Sequence, residues 1–261
     1  MSMHTLTLFI LAHILGDFYF QSAKLSQKKE TQYQFVMLHS LYYAIAMFTV
    51  ILQVFSKELL VLSAIFTLIH FCIDSMKFAF TAKKSKALNQ SMTIKRNIFF
   101  IDQITHVLFL CLIIVCFPLH AKDLTMLNFI SVMVNKLGLS PDAILTWTTL
   151  ALLIHKPTNL AITAILGPYK PNATASTTQI TSTTDKNAGR MIGTLERAII
   201  ILLIFFEQYA AIGLVLTAKS IARYDKIAKE PSFSEYYLLG TLLSTLMVIL
   251  YAIVFFPALR S

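Results

Sequence analysis

Long apolar runs separated by short polar segments dominate the chain. A membrane-spanning helix needs about 20 mostly apolar residues, and several runs reach that length. They predict helices at residues 4–22, 35–55, 58–80, 97–118, 143–166, 192–217 and 235–256. The pattern predicts an all-α fold, a polytopic transmembrane helical bundle of seven or eight helices, the eighth depending on the shorter run 123–137.

The composition agrees with residence in a membrane. Of the 261 residues, 56% are hydrophobic and only 13% are charged, whereas a soluble domain is usually about one quarter charged. This composition excludes a soluble enzyme, a disordered tail and a disulfide-rich scaffold. Membrane lipids are therefore expected partners.

The basic residues indicate orientation. The chain has 22 Lys and Arg against 13 Asp and Glu, a net charge of +9, and they lie mostly in short loops, as the positive-inside rule expects. We therefore do not expect nucleic acid as a partner. The basic loops after the first helix and between the third and fourth predict an outward N-terminus. The residues are Lys24, Lys28, Lys29, Lys77, Lys83, Lys84, Lys86, Lys95 and Arg96.

Two orientations remain open for the second half. If 123–137 does not cross, a basic cluster falls on the outer side, against the positive-inside rule. If it crosses, the cluster returns to the cytoplasm and the helices number eight, which we favour. The cluster consists of Lys219, Arg223, Lys226 and Lys229.

The same pattern predicts four regions. Residues 1–120 form a four-helix transmembrane domain and residues 121–170 add one or two membrane helices. Residues 171–189 form a polar linker rich in Ser and Thr, because they contain no apolar period to bury. Residues 190–261 form a C-terminal two-helix membrane region.

Ionisable side chains interrupt the first four predicted helices, although an Asp at mid-helix costs about 2.5 to 3.5 kcal/mol. Helices one, three and four each carry a His and an Asp four residues apart, which puts both on one helix face. Helix two carries a single His. The residues are His13, Asp17, His39, His70, Asp74, Asp102 and His106.

Depth brings these residues together. We count residues inward from the cytoplasmic end of each predicted helix, at a rise of about 1.5 Å per residue. On this count, His13, His70 and His106 lie in one layer. The three aspartates fall with His39 in a second layer, nearer the cytoplasm. The order reverses in helix four, which runs the opposite way to helices one and three, so like residues meet.

Imidazole and carboxylate groups in a helical bundle are typical ligands of zinc, manganese or iron, and zinc is the first expectation. The alternative is a set of interhelical hydrogen bonds. If a metal is bound, an aspartate that is not a ligand, Asp17 or Asp102, is the expected general base. Neighbouring polar residues would orient ligands or hold substrate oxygens: Gln21, Tyr43, Lys77 and Gln103.

These segments resemble a known family. HILGDFYFQ, His39, HFCIDSMK and DQITH, within residues 4–120, are similar to the signatures of the bacterial membrane family catalogued as domain of unknown function 3307. Residues 189–225 resemble the C-terminal extension of its longer members. The pattern is also loosely similar to membrane-bound metal-dependent hydrolases. The resemblance implies a shared polar site in a bacterial inner-membrane protein and no particular activity.

A second polar cluster lies in the C-terminal half. Arginine forks suit phosphate or carboxylate, so we expect an anionic group to bind at Arg190, Arg197, Lys219 and Arg223. The alternative is an interfacial arginine pair with Glu196 and Glu207 as partners within the protein.

The leading hypothesis is a metal-dependent hydrolase whose site opens toward the cytoplasmic leaflet. Its expected substrate is a lipid-linked or phosphorylated amphiphile. The alternatives are a proton- or metal-coupled transporter, or a ligand-responsive membrane effector in which the metal is structural. A homo-oligomer is compatible with all three.

Overall fold

The computed structural model describes residues 3–52, 54–83, 91–117, 125–126, 132, 136, 138, 140–170 and 183–260. The described residues form two compact units, one within residues 1–149 and the other within residues 150–260. Both units are helical bundles, which confirms the predicted all-α class. The four predicted regions stay predictions, and residues 171–182 of the linker lie outside the described part.

The first unit contains most of the predicted helices of the N-terminal half. They are α1 (Met3–Ile14), which continues as a π-helical turn (Leu15–Tyr19), α2 (Ala23–Lys29), α3 (Tyr33–Ile51), α4 (Lys57–Lys83) and α5 (Met92–Cys116). A short strand β1 (Val54–Phe55) pairs antiparallel with β2 (Thr125–Met126). Helix α6 (Pro141–Leu166) begins in this unit and continues into the second.

The second unit continues from α6 through a 3₁₀ turn (Gly167–Tyr169). Its further helices are α7 (Thr183–Phe205), α8 (Tyr209–Ile221), α9 (Tyr224–Lys229), α10 (Pro231–Phe255) and α11 (Pro257–Arg260). Within the described residues of this unit, every element is therefore helical.

Five of the described helices are long and apolar enough to cross a membrane. They are Tyr33–Ile51, Lys57–Thr81, Met92–Cys116, Pro141–Tyr169 and Pro231–Phe255. The first helix and α2 make a sixth if this pair, bent by 84°, counts as one span. Large apolar side chains on these helices are exposed, as lipid-facing residues are. The chain is a membrane protein, and an eighth crossing at 123–137 stays a prediction because most of that segment lies outside the described residues.

The first and third helices approach each other very closely. A Cβ atom built at Gly16 would lie 2.5 Å from Cδ2 of Tyr43, and Tyr43 is buried. Only glycine therefore fits here without moving the Tyr43 ring. The contact occurs in the π-helical turn, a feature often found at functional sites, and it fixes the position of the neighbouring Asp17.

The prediction of one continuous helix at 192–217 was wrong. Helix α7 ends at Phe205, α8 begins at Tyr209, and Glu207 between them has a positive φ of 60°. An ion pair joins Glu196 to Lys219, whereas in one straight helix these residues would lie about 35 Å apart. Helices α7 and α8 therefore form an antiparallel hairpin.

The hairpin changes the topological choice drawn from the sequence. Because α8 runs back along α7, Lys219 and Arg223 return to the end of the unit at which Arg190 lies. Ile192 lines an open pocket together with Ile221, Arg223 and Lys226, which shows the same proximity. The basic residues of this unit can therefore share one membrane side without a crossing at 123–137.

The reversal predicts same-side labelling. In a background with Cys72, Cys111 and Cys116 replaced by Ser, we expect Arg190→Cys and Lys226→Cys to react with a membrane-impermeant maleimide from the same side of sealed vesicles. Both residues are exposed. Permeabilised vesicles give the total reactive fraction as the control. Labelling from opposite sides would contradict the hairpin.

Candidate metal centre

Four helices of the first unit bring the seven predicted histidines and aspartates into one cluster. Helix α1 and its π-helical turn supply His13 and Asp17, and α3 supplies His39. Helix α4 supplies His70 and Asp74, and α5 supplies Asp102 and His106. All seven side chains are more than nine-tenths buried. We call these seven residues the His/Asp cluster.

Three histidines form one layer of the cluster. The ring centroids are separated by 4.3 Å for His70 and His106, 5.6 Å for His13 and His106, and 6.2 Å for His13 and His70. Tyr43 stacks on His70 at 3.7 Å, and its hydroxyl lies 3.2 Å from Nδ1 of His13. This is the layer that depth counting places together.

The carboxylates and His39 form the second layer. Oδ1 of Asp17 accepts hydrogen bonds from Nε2 of His70 at 2.8 Å and from Nε2 of His39 at 3.2 Å. Oδ2 of Asp17 accepts from the Gln103 amide at 3.1 Å. Nε2 of His39 also lies 3.4 Å from Oδ2 of Asp74. His39 therefore connects two carboxylates that belong to different helices.

Two lysines neutralise the remaining carboxylates. Nζ of Lys77 donates to Oδ2 of Asp102 at 2.8 Å. Nζ of Lys29 donates to Oδ2 of Asp74 at 2.8 Å and to the Gln21 amide oxygen at 3.3 Å. With all three aspartates ionised, the cluster keeps one negative charge in excess of these two ammonium groups.

Lys29 was not predicted to contact the cluster, because its place in a basic loop indicated only the orientation of the chain. It reaches the cluster because the chain bends by 84° between the first helix and α2. Ser22 caps α2 by accepting a hydrogen bond from the Leu25 amide, and a serine before a new helical segment is the signal that predicts such a break. The predicted neighbours Gln21, Tyr43, Lys77 and Gln103 all contact the cluster or its partners.

Six members of the cluster each carry one buried polar atom that lacks a hydrogen-bond partner among the described residues. These atoms are Nε2 of His13, Nδ1 of His39, Nδ1 of His70, Oδ1 of Asp74, Oδ1 of Asp102 and Nε2 of His106. Buried polar groups in native proteins are nearly always hydrogen-bonded, so six in one place require an explanation.

Hydrogen bonding fixes which ring nitrogens carry the proton. Nδ1 of His106 lies 2.8 Å from the Asp102 carbonyl oxygen, which can only accept, so Nδ1 donates. Nε2 of His39 and of His70 likewise donate to the Asp17 carboxylate. In the neutral imidazoles, the partnerless nitrogens of these three histidines therefore present lone pairs, the form in which histidine binds metals.

The cluster contains three groups that fit a metal ion. In each group, one donor atom per residue lies within 4.8 Å of the others. The groups are His13, Asp17 and His70; His39, His70 and Asp74; and Asp74, Asp102 and His106. Nitrogen and carboxylate donors of this kind suit zinc, iron or manganese. The six buried atoms of the cluster without a hydrogen-bond partner among the described residues belong to residues of these three groups, and their nitrogen and oxygen donors suit such a metal ion.

The predicted anion-binding residues lie in the second unit. Arg190 is exposed, Lys219 pairs with Glu196, and Arg223 lines the open pocket. Arg197 is 2% exposed. It donates to the carbonyl oxygen of Ile154 and to three side chains, those of Asn159, Thr194 and Ser244. Anion binding by these four residues stays a prediction.

Comparisons with known proteins address only the first unit. Neither the search of curated proteins nor the search of solved structures gave a match. A family model described as "Protein of unknown function (DUF3307)" matches residues 5–134. This range contains the whole His/Asp cluster, whereas the resemblance predicted for residues 189–225 lies beyond it. Residues 5–134 of this chain therefore belong to the DUF3307 family.

Proposed function

We propose that the His/Asp cluster binds a divalent transition metal within the membrane and that the protein is a metal-dependent hydrolase. The observation that supports this proposal is the set of six buried donor atoms without a hydrogen-bond partner in the described residues. Zinc is the proposed metal, with manganese or iron as alternatives. The proposed substrate is a lipid-linked or phosphorylated amphiphile.

Energetics favour a cation over a purely structural network. Each unsatisfied buried polar group costs about 1 to 3 kcal/mol, and the hydrocarbon core offers no bulk water to relieve that cost. Interhelical hydrogen bonds do occur here, but they leave these six atoms unused. A metal ion would bind several of them at once and would offset the excess negative charge of the carboxylates.

The residues around the centre have separable tasks in this proposal. A bound metal would supply Lewis acidity toward a phosphoryl or acyl oxygen. Asp17 or Asp102, whichever carboxylate does not bind the metal, is proposed to take the proton from attacking water. Lys77, whose side chain is 29% exposed, lies at the open edge of the cluster and would hold an anionic group of the substrate.

Charge distribution supports an orientation for this site. With the basic segments in the cytoplasm, as the positive-inside rule requires, the N-terminus faces outward and the carboxylate layer lies nearer the cytoplasmic face. We propose the bacterial inner membrane as the location, membrane lipids as partners, and a homo-oligomer as compatible with the exposed apolar helices.

Metal analysis tests the proposal directly. Full-length protein purified in detergent without chelators is expected to contain at least one equivalent of a transition metal by inductively coupled plasma mass spectrometry. The metal-loaded protein is then expected to hydrolyse a member of a panel of phospholipids and polyprenyl phosphates. A metal-free protein that also fails to bind added Zn²⁺, Mn²⁺ or Fe²⁺ would refute the metal centre.

One observation favours proton transport as a second candidate. Lys29, Asp74, His39 and Asp17 form a continuous chain of polar contacts from α2 into the cluster. Such chains of ionisable groups carry protons in membrane transporters. Proton flux in proteoliposomes that disappears in His39→Ala, without turnover of the lipid panel, would select this candidate over hydrolysis.

A further inference from the structure

We infer that the His/Asp cluster holds two metal ions side by side and that its substrate is a phosphoric ester. The inference rests on the proposed metal centre and deepens it; it assigns Asp17 and Asp102 as ligands, one for each ion, in place of the general-base role. One ion would bind at His13, Asp17 and His70, and we call these residues triad A. The other would bind at Asp74, Asp102 and His106, which we call triad B.

The two triads are separate sets of ligands. Each supplies three donor atoms within 4.8 Å of one another, and they have no residue in common. The remaining group, His39, His70 and Asp74, takes one residue from each triad. A cluster built for one ion would need three or four of these side chains, whereas this one contains two complete sets and His39 between them.

Each residue of triad B has one polar side-chain atom that bonds to a lysine or to a backbone carbonyl and one that has no hydrogen-bond partner in the described residues. Asp74 and Asp102 each use Oδ2 to bind a lysine, Lys29 or Lys77, while Oδ1 is buried and without a partner in the described residues. His106 uses Nδ1 to bond a backbone carbonyl, which leaves Nε2 free. Metal ligands are typically oriented by such hydrogen bonds from their second polar atom. The lysines can thus stay bound when a metal arrives.

Triad A shows the same arrangement on two of its residues. His70 donates from Nε2 to Asp17, and its Nδ1 makes no hydrogen bond in the described cluster and lies 4.0 Å from Oδ2 of Asp74. His13 contacts the Tyr43 hydroxyl through Nδ1, and its Nε2 makes no hydrogen bond in the described part of the chain but lies 3.8 Å from Oδ2 of Asp17, a residue of the same triad. Gln103 and His39 bond to the Asp17 carboxylate from outside the triad. Each triad therefore has at least two donors that make no hydrogen bond within the described residues.

The triads are immediate neighbours. Nε2 of His39 lies 3.2 Å from an oxygen of Asp17 and 3.4 Å from an oxygen of Asp74. The rings of His70 and His106, one from each triad, have centroids 4.3 Å apart. Paired metal ions in hydrolytic sites lie about 3.5 to 4 Å apart, which these contacts allow.

Charge identifies the substrate class. Two divalent ions among three carboxylates give a net positive centre, and Lys29 and Lys77 add to it. A phosphoryl group brings the negative oxygens that neutralise such a centre, and two-metal sites stabilise both the attacking and the leaving oxygen of a phosphoryl displacement. A neutral acyl ester would leave the positive charge uncompensated in a membrane.

Stoichiometry tests the inference. Full-length apo-protein in detergent, titrated with Mn²⁺, is expected to bind two equivalents and to show the electron paramagnetic resonance spectrum of two magnetically coupled ions. Saturation at one equivalent with an uncoupled six-line spectrum would overturn the second site while leaving the metal centre intact. Binding of neither Mn²⁺ nor Zn²⁺ would refute the proposed function itself.

Two single substitutions locate the ions. His13→Ala and His106→Ala are each expected to bind one equivalent and to lose the coupled spectrum, whereas His155→Ala, a histidine of the second unit, is expected to keep two. The thermal unfolding midpoint identifies variants that still fold. If both variants keep two ions, or if either folded variant loses both, the assignment to two triads is wrong. The wild-type titration does not depend on the variants.

Discussion

Protein carrying His70→Ala together with Asp74→Ala is expected to contain no transition metal after purification. Its affinity for added Zn²⁺ is expected to be at least about a hundredfold below that of the wild type. No single residue belongs to all three ligand groups, so two substitutions are the fewest that damage all of them. His70 belongs to the first two groups and Asp74 to the last two. The measurement is metal content after purification, followed by titration with Zn²⁺.

A control on the same helix separates ligand loss from damage to the helix. Thr67 lies one turn before His70, and its hydroxyl bonds only back to the Ser63 carbonyl in the described contacts. Thr67→Ala is therefore expected to keep the metal and the unfolding midpoint. A double variant that retains a full equivalent of metal would show that His70 and Asp74 are not ligands.

The convergence of the cluster could be predicted from the sequence because it depends on the spacing of the residues along each helix and on the direction of each helix. A histidine and an aspartate four residues apart share a helix face, and their order reverses in α5. Basic loops give the direction of each helix independently. Antiparallel packing then leaves little choice of partner, and the structure places His13, His70 and His106 in one layer as expected.

The contacts that depend on chain reversals could not be predicted in this way. Lys29 reaches Asp74 only because the chain bends before α2, and hydropathy does not record that bend. The break at Glu207 lies inside an otherwise apolar run, so a window of about 20 residues spans it. Only the polar pair Glu207 and Gln208 indicated a reversal, and two polar residues also occur within continuous membrane helices.

Arg197 presents a different difficulty because its partners are distant in sequence. Ile154 and Asn159 lie on α6 and Ser244 lies on α10. Spacing along α7 places Arg197 on a face with Arg190, which is why both were predicted to bind an anion. Burial distinguishes them, since Arg190 is exposed and Arg197 is 2% exposed. Burial of a single residue is not visible in a helical pattern.

The surroundings of Arg197 show what it stabilises. Pro157 lies inside α6 and has no amide hydrogen to donate to the helix. The Thr158 hydroxyl donates to the Leu153 carbonyl at 2.7 Å, and Nε of Arg197 donates to the Ile154 carbonyl at 2.8 Å. The guanidinium thus bonds the carbonyl next to the interruption and joins α6 to α7 and α10.

Replacing this guanidinium is expected to destabilise the protein more than any other change in the second unit that we propose. Arg197→Ala removes four hydrogen bonds, two of which have buried acceptors at Ile154 and Ser244, so the free energy of unfolding should fall by about 2 to 4 kcal/mol. Arg197→Lys keeps the charge but lacks the planar fork, and it should lose part of that amount. Arg190→Ala, the matched control on the same helix, should change stability by less than about 0.5 kcal/mol.

Thermal unfolding in detergent, followed by circular dichroism, measures these differences. The order expected for the unfolding midpoints is Arg190→Ala equal to wild type, then Arg197→Lys, then Arg197→Ala. If Arg197→Ala unfolds with the wild type, its four hydrogen bonds carry no net stability, and the buried guanidinium would instead be kept for binding an anion. A loss of stability would show that Arg197 is a structural residue that links α7 to α6 and α10. An arginine that binds an anion needs free N–H donors, whereas the donors of Arg197 bond to other residues of the protein.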